Sequence, residues 1–273
     1  GVMKKFAVIG KPIKHSLSPR IHLEFAKEAG IEISYEAIEV DPKSFTSQTN
    51  KLFKEGYEGL NVTLPLKGLA YNFADKVSEL GNQTKAVNTL WKEGQNICAD
   101  STDGLGLVRD LTNNKISLEK CNFIILGAGG AAQSIVPSLL GMKPNKVFVI
   151  NRTFDKSLYL INKFKNSKVE LKAVKEKDIP KEDIQGIINA TSFGVDGGSF
   201  EFNKDLFKGI KWVYDLNYSD GQTAFCEIAN ELGIGVCLDG LGMLVNQAAA
   251  SFEIWTGIKP APLRVLKSIK DSF

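Results

Sequence analysis

The chain reads as an α/β protein in two domains, and three features of its 273 residues carry that reading. Short apolar runs of strand length recur, Phe6-Ala-Val-Ile9, Phe123-Ile-Ile-Leu126 and Val147-Phe-Val-Ile150 among them. Their branched side chains suit parallel strands buried on both faces. Such runs alternate with stretches of helical period, the pattern of βαβ units. A glycine turn, Gly127-Ala128-Gly129-Gly130-Ala131-Ala132, follows the run at Phe123 at once and leads into an apolar helix.

That turn fits G-x-G-x-x-A, the dinucleotide fingerprint that ends in alanine. Gly127 would permit the tight turn, Gly129 would let a diphosphate approach the backbone, and Ala132 would let helix pack on strand. The helix would run to about Leu140, its N-terminal N–H groups facing the anion. A strand–glycine–helix turn also occurs without a ligand, so context decides. A second strand, Lys146 to Ile150, follows at the βαβ distance and ends in Asn151-Arg152-Thr153. An NAD site usually places an acid there, whereas an arginine suits a 2′-phosphate. Lys156, one helical turn on, adds a cation. The half is read as a Rossmann-like domain for NADP(H).

Composition excludes several classes. A net charge of +3 points to neither nucleic acid nor a membrane surface. The uncharged run 122–142 has the length of a membrane span, but its glycines, Gln133, Ser134 and Pro137 favour strand plus helix. Cys98, Cys121, Cys226 and Cys237 show no CxxC spacing and read as reduced cysteines of a cytoplasmic protein. His15 and His22 are too few for a His-based zinc site, so no metal is expected. There is no signal-peptide pattern, and Gly1-Val2 ahead of Met3 reads as a cloning remnant.

Taken in order, Lys5 to Ile9 is a first buried strand stopped by Gly10-Lys11-Pro12. Ser18 is then a good N-cap with Pro19 at the first helical position, and Gly30 closes that helix. Capping leaves Ser16 unexplained, and two hydroxyls at a strand end could also grip a small polar ligand. A strand from Ser34 to Val40 leads to a helix capped by Asp41-Pro42 and ended by Gly56. In the strand that follows, Leu60 and Val62 point to the core while Asn61 and Thr63 alternate to the other face. Pro65 fits the first turn of a helix carrying Lys67. A hairpin turned at Glu93-Gly94 precedes Ser101-Thr102-Asp103-Gly104, where Asp103 reads as an N-cap.

The second half adds a helix with Leu158, Ile161 and Phe164 on one side, and a strand near Val169 to Val174. Strands at Gln185–Asn189 and Trp212–Asp215 end in Thr191-Ser192-Phe-Gly194 and Leu216-Asn217-Tyr218, polar ends that face the ligand crevice of open α/β sheets. A helix from Thr223 to Leu232 and a strand from Ile234 to Leu238 follow. Asp239-Gly240-Leu-Gly242-Met243 starts a long helix, Leu244 to Trp255, and an amphipathic helix spans Pro262 to Lys270. These last helices would return to the first domain, so that the chain crosses between domains twice, a geometry that suits hinge closure. The boundaries expected are 1–103 with 240–273 for a substrate-binding domain and 104–239 for the NADP domain.

These blocks together resemble the shikimate dehydrogenase family over nearly the whole chain. The matching stretches are AVIGKPIKHSLSP, NVTLPLK, AVNTL, STDGLG, LGAGGAAQS, NRTFDK, INATSFG, DLNY and DGLGMLVNQA, in the family's order and spacing. The resemblance implies reduction of 3-dehydroshikimate to shikimate with NADPH. It implies that Lys67 is the catalytic lysine and Asp103 its partner. Ser16, Ser18, Asn61, Thr63, Asn88, Tyr218 and Gln247 then match positions holding the substrate's carboxylate and hydroxyls. Gly127, Ala128, Gly129, Gly130 and Ala131 match the diphosphate loop, and Asn151, Arg152, Thr153 and Lys156 the adenosine-phosphate clamp. Leu216, Gly240 and Met243 match the nicotinamide pocket, and Glu79 a weaker cofactor contact. The sequence departs from the family at Ser101, Leu66 and Leu23, where Asn, His or an aromatic residue, and Asn are common.

A buried amine suits the proton transfer, because burial favours its neutral form while a nearby carboxylate opposes that shift. Two other readings remain at this stage: a dehydrogenase that also takes quinate, and a non-catalytic sensor of shikimate-like ligands or NADPH. The expected partner is a small molecule, and the protein a monomer or homodimer.

Overall fold

The computed structural model describes residues 3–195 and 198–273, so Gly1 and Val2 lie outside them. The chain divides into two compact units, 1–106 with 244–272, and 107–243 with residue 273.

In the first unit the apolar runs become strands. They are β1 (Lys4–Gly10), β2 (Ile33–Glu39), β3 (Tyr57–Val62), β4 (Lys76–Val77), β5 (Thr89–Glu93) and β6 (Asn96–Asp100). Among the described residues they form one mixed sheet in the order β2-β1-β3-β5-β6-β4. β1 runs parallel to β2 and β3, while β5 is antiparallel to β3 and β6. The helices are α1 (Ser18–Ala29), α2 (Phe45–Lys54), α3 (Lys67–Phe73), α4 (Glu79–Thr84) and the start of α5 (Asp103–Asn113). Gly10 must be glycine, because a Cβ there would sit 2.4 Å from the Thr63 methyl that crosses the end of β1.

Several helix starts differ from the sequence reading. Ser18 is the first helical residue and Leu17 stands at the cap position without a side-chain capping bond, while the Ser18 N–H donates to Ser16 Oγ at 3.2 Å. Pro65 follows a cis peptide in the turn ahead of α3, and Lys67 itself opens that helix. Asp103 is likewise the first residue of α5, its carboxylate turned to other partners. β4 and α4 had no counterpart in the sequence reading; both are too short for a period to show.

The second unit contains β7 (Asn122–Leu126), β8 (Lys146–Ile150), β9 (Glu170–Val174), β10 (Gly186–Asn189), β11 (Trp212–Asp215) and β12 (Val236–Leu238). All pair in parallel in the order β12-β11-β10-β7-β8-β9, which is the doubly wound 3-2-1-4-5-6 arrangement. Phe123, Ile125, Val147 and Val149 are buried on one face with Ala132, Ile135, Val136 and Leu139 of α6 (Gly130–Leu140). Ile124, Phe148, Ile187 and Val213 fill the other with Phe225 of α8 (Ala224–Glu231), while α7 (Phe154–Lys163) lies after β8. Burial on both faces explains why these strands read as unbroken apolar runs.

The long helix α9 (Leu241–Thr256) starts earlier than the expected Leu244, and α10 (Pro262–Asp271) follows. From Leu244 onward this segment belongs to the first unit. Trp255 of α9 stacks on Phe6 at 4.7 Å and donates to the Leu90 carbonyl at 3.2 Å. Gly59 makes room for that ring, since a Cβ there would lie 2.5 Å from the indole. α10 packs on α1, where Arg20 reaches Ser272 Oγ at 2.6 Å.

Candidate active site and cofactor site

In the first unit, strand ends and helix starts place polar side chains side by side. Lys67 at the start of α3 donates to Asp103 Oδ2 at 2.5 Å, an ion pair whose side chains are 28% and 9% exposed. Asn88, just before β5, is the hub. Its Nδ2 lies 2.8 Å from Thr102 Oγ1, 2.9 Å from Gln247 Oε1 and 3.3 Å from Asp103 Oδ1. Its Oδ1 accepts from the Thr102 N–H at 2.8 Å. Lys67, Asp103, Asn88 and Gln247 are thereby drawn into one hydrogen-bonded group.

Asn61 lies beneath that group and is already fully engaged. It accepts from the Tyr35 hydroxyl at 2.6 Å and donates to the Asn88 carbonyl and to Ser251 Oγ, both at 3.1 Å. Ser251 pairs with Thr89 Oγ1 at 2.7 Å, and Thr102 Oγ1 donates to the Gln247 carbonyl at 3.0 Å. Thr102, Thr89 and Ser251 were not singled out from sequence. Two signals were available: Thr102 directly precedes Asp103, and Ser251 lies four residues after Gln247 on the same helix face. Ser16 and Ser18 lie on the loop after β1, and Thr63 directly after β3.

Behind this network His22 is fully buried, stacked on Tyr35 with ring centroids 4.5 Å apart. Neither ring nitrogen has a hydrogen-bond partner among the described residues. Burial pushes the imidazole down to about 3, with Asn61 opposing the shift.

In the second unit the glycine turn sits between β7 and α6. Gly127 adopts φ +101°, and a Cβ there would meet the Ala190 carbonyl at 3.0 Å, so only glycine passes. Gly129 and Gly130 are exposed, and open space stands where their Cβ atoms would be. The first helical bond runs from the Gln133 N–H to the Gly129 carbonyl, which leaves the preceding N–H groups for an anion. At the end of β8, Asn151 Nδ2 donates to the Thr153 carbonyl at 3.0 Å. Arg152 is mostly exposed, 3.8 Å from the Glu201 carboxylate. A backbone cradle with small residues, no acid at Asn151 and a cation beside it fits a diphosphate and a 2′-phosphate.

Leu216, Gly240 and Met243 come together in this unit. The Gly240 N–H donates to the Asn217 carbonyl at 2.9 Å, and a Cβ on Gly240 would lie 2.0 Å from the Leu216 oxygen. Leu216 and Met243 pack on the same core. Tyr218 also lies here, after β11, whereas the other expected substrate residues are in the first unit; burial pushes its hydroxyl up. Glu79 opens α4 in the first unit, and Lys156 is exposed on α7. Asn189 and Asp215, named from sequence only as strand ends, are joined by a 3.0 Å bond that ties β10 to β11.

An open parallel sheet of this order, with this turn and this strand-end arginine, defines a dinucleotide-binding unit of the Rossmann type. Family models agree. The shikimate dehydrogenase substrate binding domain matches residues 8–90, shikimate / quinate 5-dehydrogenase matches 110–193, and the shikimate 5′-dehydrogenase C-terminal domain matches 240–268. Shikimate dehydrogenase (NADP(+)) of Vesicomyosocius okutanii is 41% identical, with 98% of this chain and 100% of the relative covered. The enzyme of the same name from Vibrio atlanticus is 38% identical over 97% and 96%. The structure of shikimate 5-dehydrogenase from Thermus thermophilus in complex with NADP(H) and shikimate superposes with a TM-score of 0.89, at 30% identity over 99% and 100% of the two chains. The chain belongs to the shikimate dehydrogenase family.

Proposed function

We propose that this chain catalyses the reversible NADPH-dependent reduction of 3-dehydroshikimate to shikimate, on the pathway to chorismate and the aromatic amino acids. The observation that carries the reading is the Lys67–Asp103 pair, hydrogen-bonded into Asn88 and Gln247 in a chain of this family.

Reducing a ring ketone needs a hydride on carbon and a proton on oxygen. NADPH, when bound, supplies the hydride. Lys67 gives the proton to the ketone oxygen in reduction and takes it from the hydroxyl in oxidation. Asp103 holds the Lys67 amine at one carboxylate oxygen, while Asn88 steadies the other. Because Asp103 and Asn88 are buried, that geometry is set before substrate arrives. We assign Ser16, Ser18, Thr63, Gln247 and Tyr218 to the substrate's carboxylate and hydroxyls, and Asn61 to holding Asn88. Gly127 to Ala131 would cradle the diphosphate, with Arg152 at the 2′-phosphate.

The match to a shikimate / quinate model over 110–193 keeps a broader substrate range in view. An initial-rate assay crossing shikimate and quinate with NADP and NAD separates the two. Turnover confined largely to shikimate with NADP supports the reading, and comparable quinate rates move the protein to the broader dehydrogenase.

Among the described residues no helix is long and apolar enough to cross a membrane. We place the protein in the cytoplasm as a monomer or homodimer. Its four cysteines are free, and burial pushes Cys121 up to about 11 and Cys226 to about 12, which keeps both unreactive. Sedimentation at working concentration determines the oligomer.

A further inference from the structure

We infer that Lys175, on the loop after β9, is a second cation selecting the 2′-phosphate of NADP(H) beside Arg152, a role that rests on the cofactor reading above. A cavity of about 400 Å³ opens where β8 and β9 end, lined by Asn151, Arg152, Phe154, Lys175, Lys177 and Asn203. Lys156, the cation expected from sequence, does not line it.

Three observations favour Lys175. Its amine lies 5.3 Å from the centroid of the Phe154 ring, one wall of the cavity, a cation–π placement that holds it there. Arg152 shares its charge with Glu201 at 3.8 Å, so it meets an incoming anion already part-neutralised. Lys175 has no carboxylate within ion-pair distance among the described residues. A phosphate monoester carries about −1.5 to −2 at neutral pH, more than one shared guanidinium offsets. Arg152 would supply directional bonds and Lys175 a point charge. Glu176, also on the cavity wall, sets an opposing charge that penalises loss of either cation.

Calorimetry on the full chain with adenosine 2′,5′-bisphosphate and with 5′-AMP tests this without turnover. Lys175→Ala should weaken the bisphosphate about tenfold, the scale of one charged hydrogen bond, and leave 5′-AMP unchanged. Lys175→Arg should restore the preference, and Lys156→Ala should cost less than Lys175→Ala. Bisphosphate binding unchanged by Lys175→Ala, or both ligands weakened equally, overturns the role of Lys175 alone. A wild-type protein with no preference for the bisphosphate overturns the NADP(H) reading, and this role with it.

Discussion

The side-chain amide of Asn88 donates to Gln247 Oε1 across 2.9 Å, joining positions 159 apart in the chain. The same amide reaches Thr102 and Asp103, so one buried group orients the turn after β6, the start of α5 and the middle of α9. Asn88→Ala would strand the Thr102 N–H, Asp103 Oδ1 and Gln247 Oε1 together. We expect a loss of at least about 3 kcal/mol in stability, since each of the three orphaned buried groups costs about 1–3 kcal/mol. Urea unfolding measures it, and an unchanged midpoint would mean that water replaces the amide.

Gly242 is a second fixed point. A Cβ there would fall 2.1 Å from Asp110 Oδ1, while Asp110 Oδ2 accepts from the buried Tyr214 hydroxyl at 2.7 Å. Burial, then Asp110, push the Tyr214 hydroxyl well up, so it stays a donor at neutral pH. Gly242→Ala must displace the carboxylate, at an expected cost of about 3 kcal/mol. Tyr214→Phe, which removes the hydroxyl without the clash, should cost less in the same unfolding assay. The reverse order would show that Asp110 moves freely.

His22 gives a pH dependence with a definite sign. Folding lowers its imidazole from the ordinary 6.5 to about 3, so the unfolded chain binds more protons between those values. Its contribution is fully present above about pH 6.5 and is lost as pH falls towards 3, at about 1.4 kcal/mol per unit. His22→Phe keeps an aromatic ring beside Tyr35 without a titrating group. Acidified from about pH 7 to 4.5, wild type should lose roughly 2–3 kcal/mol more than the variant. Parallel losses would show that His22 opens to water.

The parts legible in the sequence are those fixed locally. Strands buried on both faces announce themselves as apolar runs, and the turn at Gly127 as a glycine that only one backbone conformation explains. Asp103 shows the limit. Read locally it has every property of an N-cap, yet its carboxylate is taken by Lys67, 36 residues away, a pairing that only the family resemblance implied. Ser18, a cap by the same local reasoning, lies inside the helix, and its N–H donates to Ser16. The two-residue β4 and six-residue α4 fall below the length at which a period shows. Ser251, His22 and Lys175 carry no local signature; their places follow from packing.

Lys67, held by Asp103 at 2.5 Å, is the residue to which we assign the proton transfer. The most direct measurement is the steady-state kinetics of Lys67→Ala, with shikimate binding followed separately by calorimetry. The expected result is a fall in kcat of about 10²–10⁴, the usual scale of general acid–base catalysis, with shikimate still bound. A retained kcat with a raised KM and weakened binding would contradict it, and would make Lys67 a substrate-holding residue.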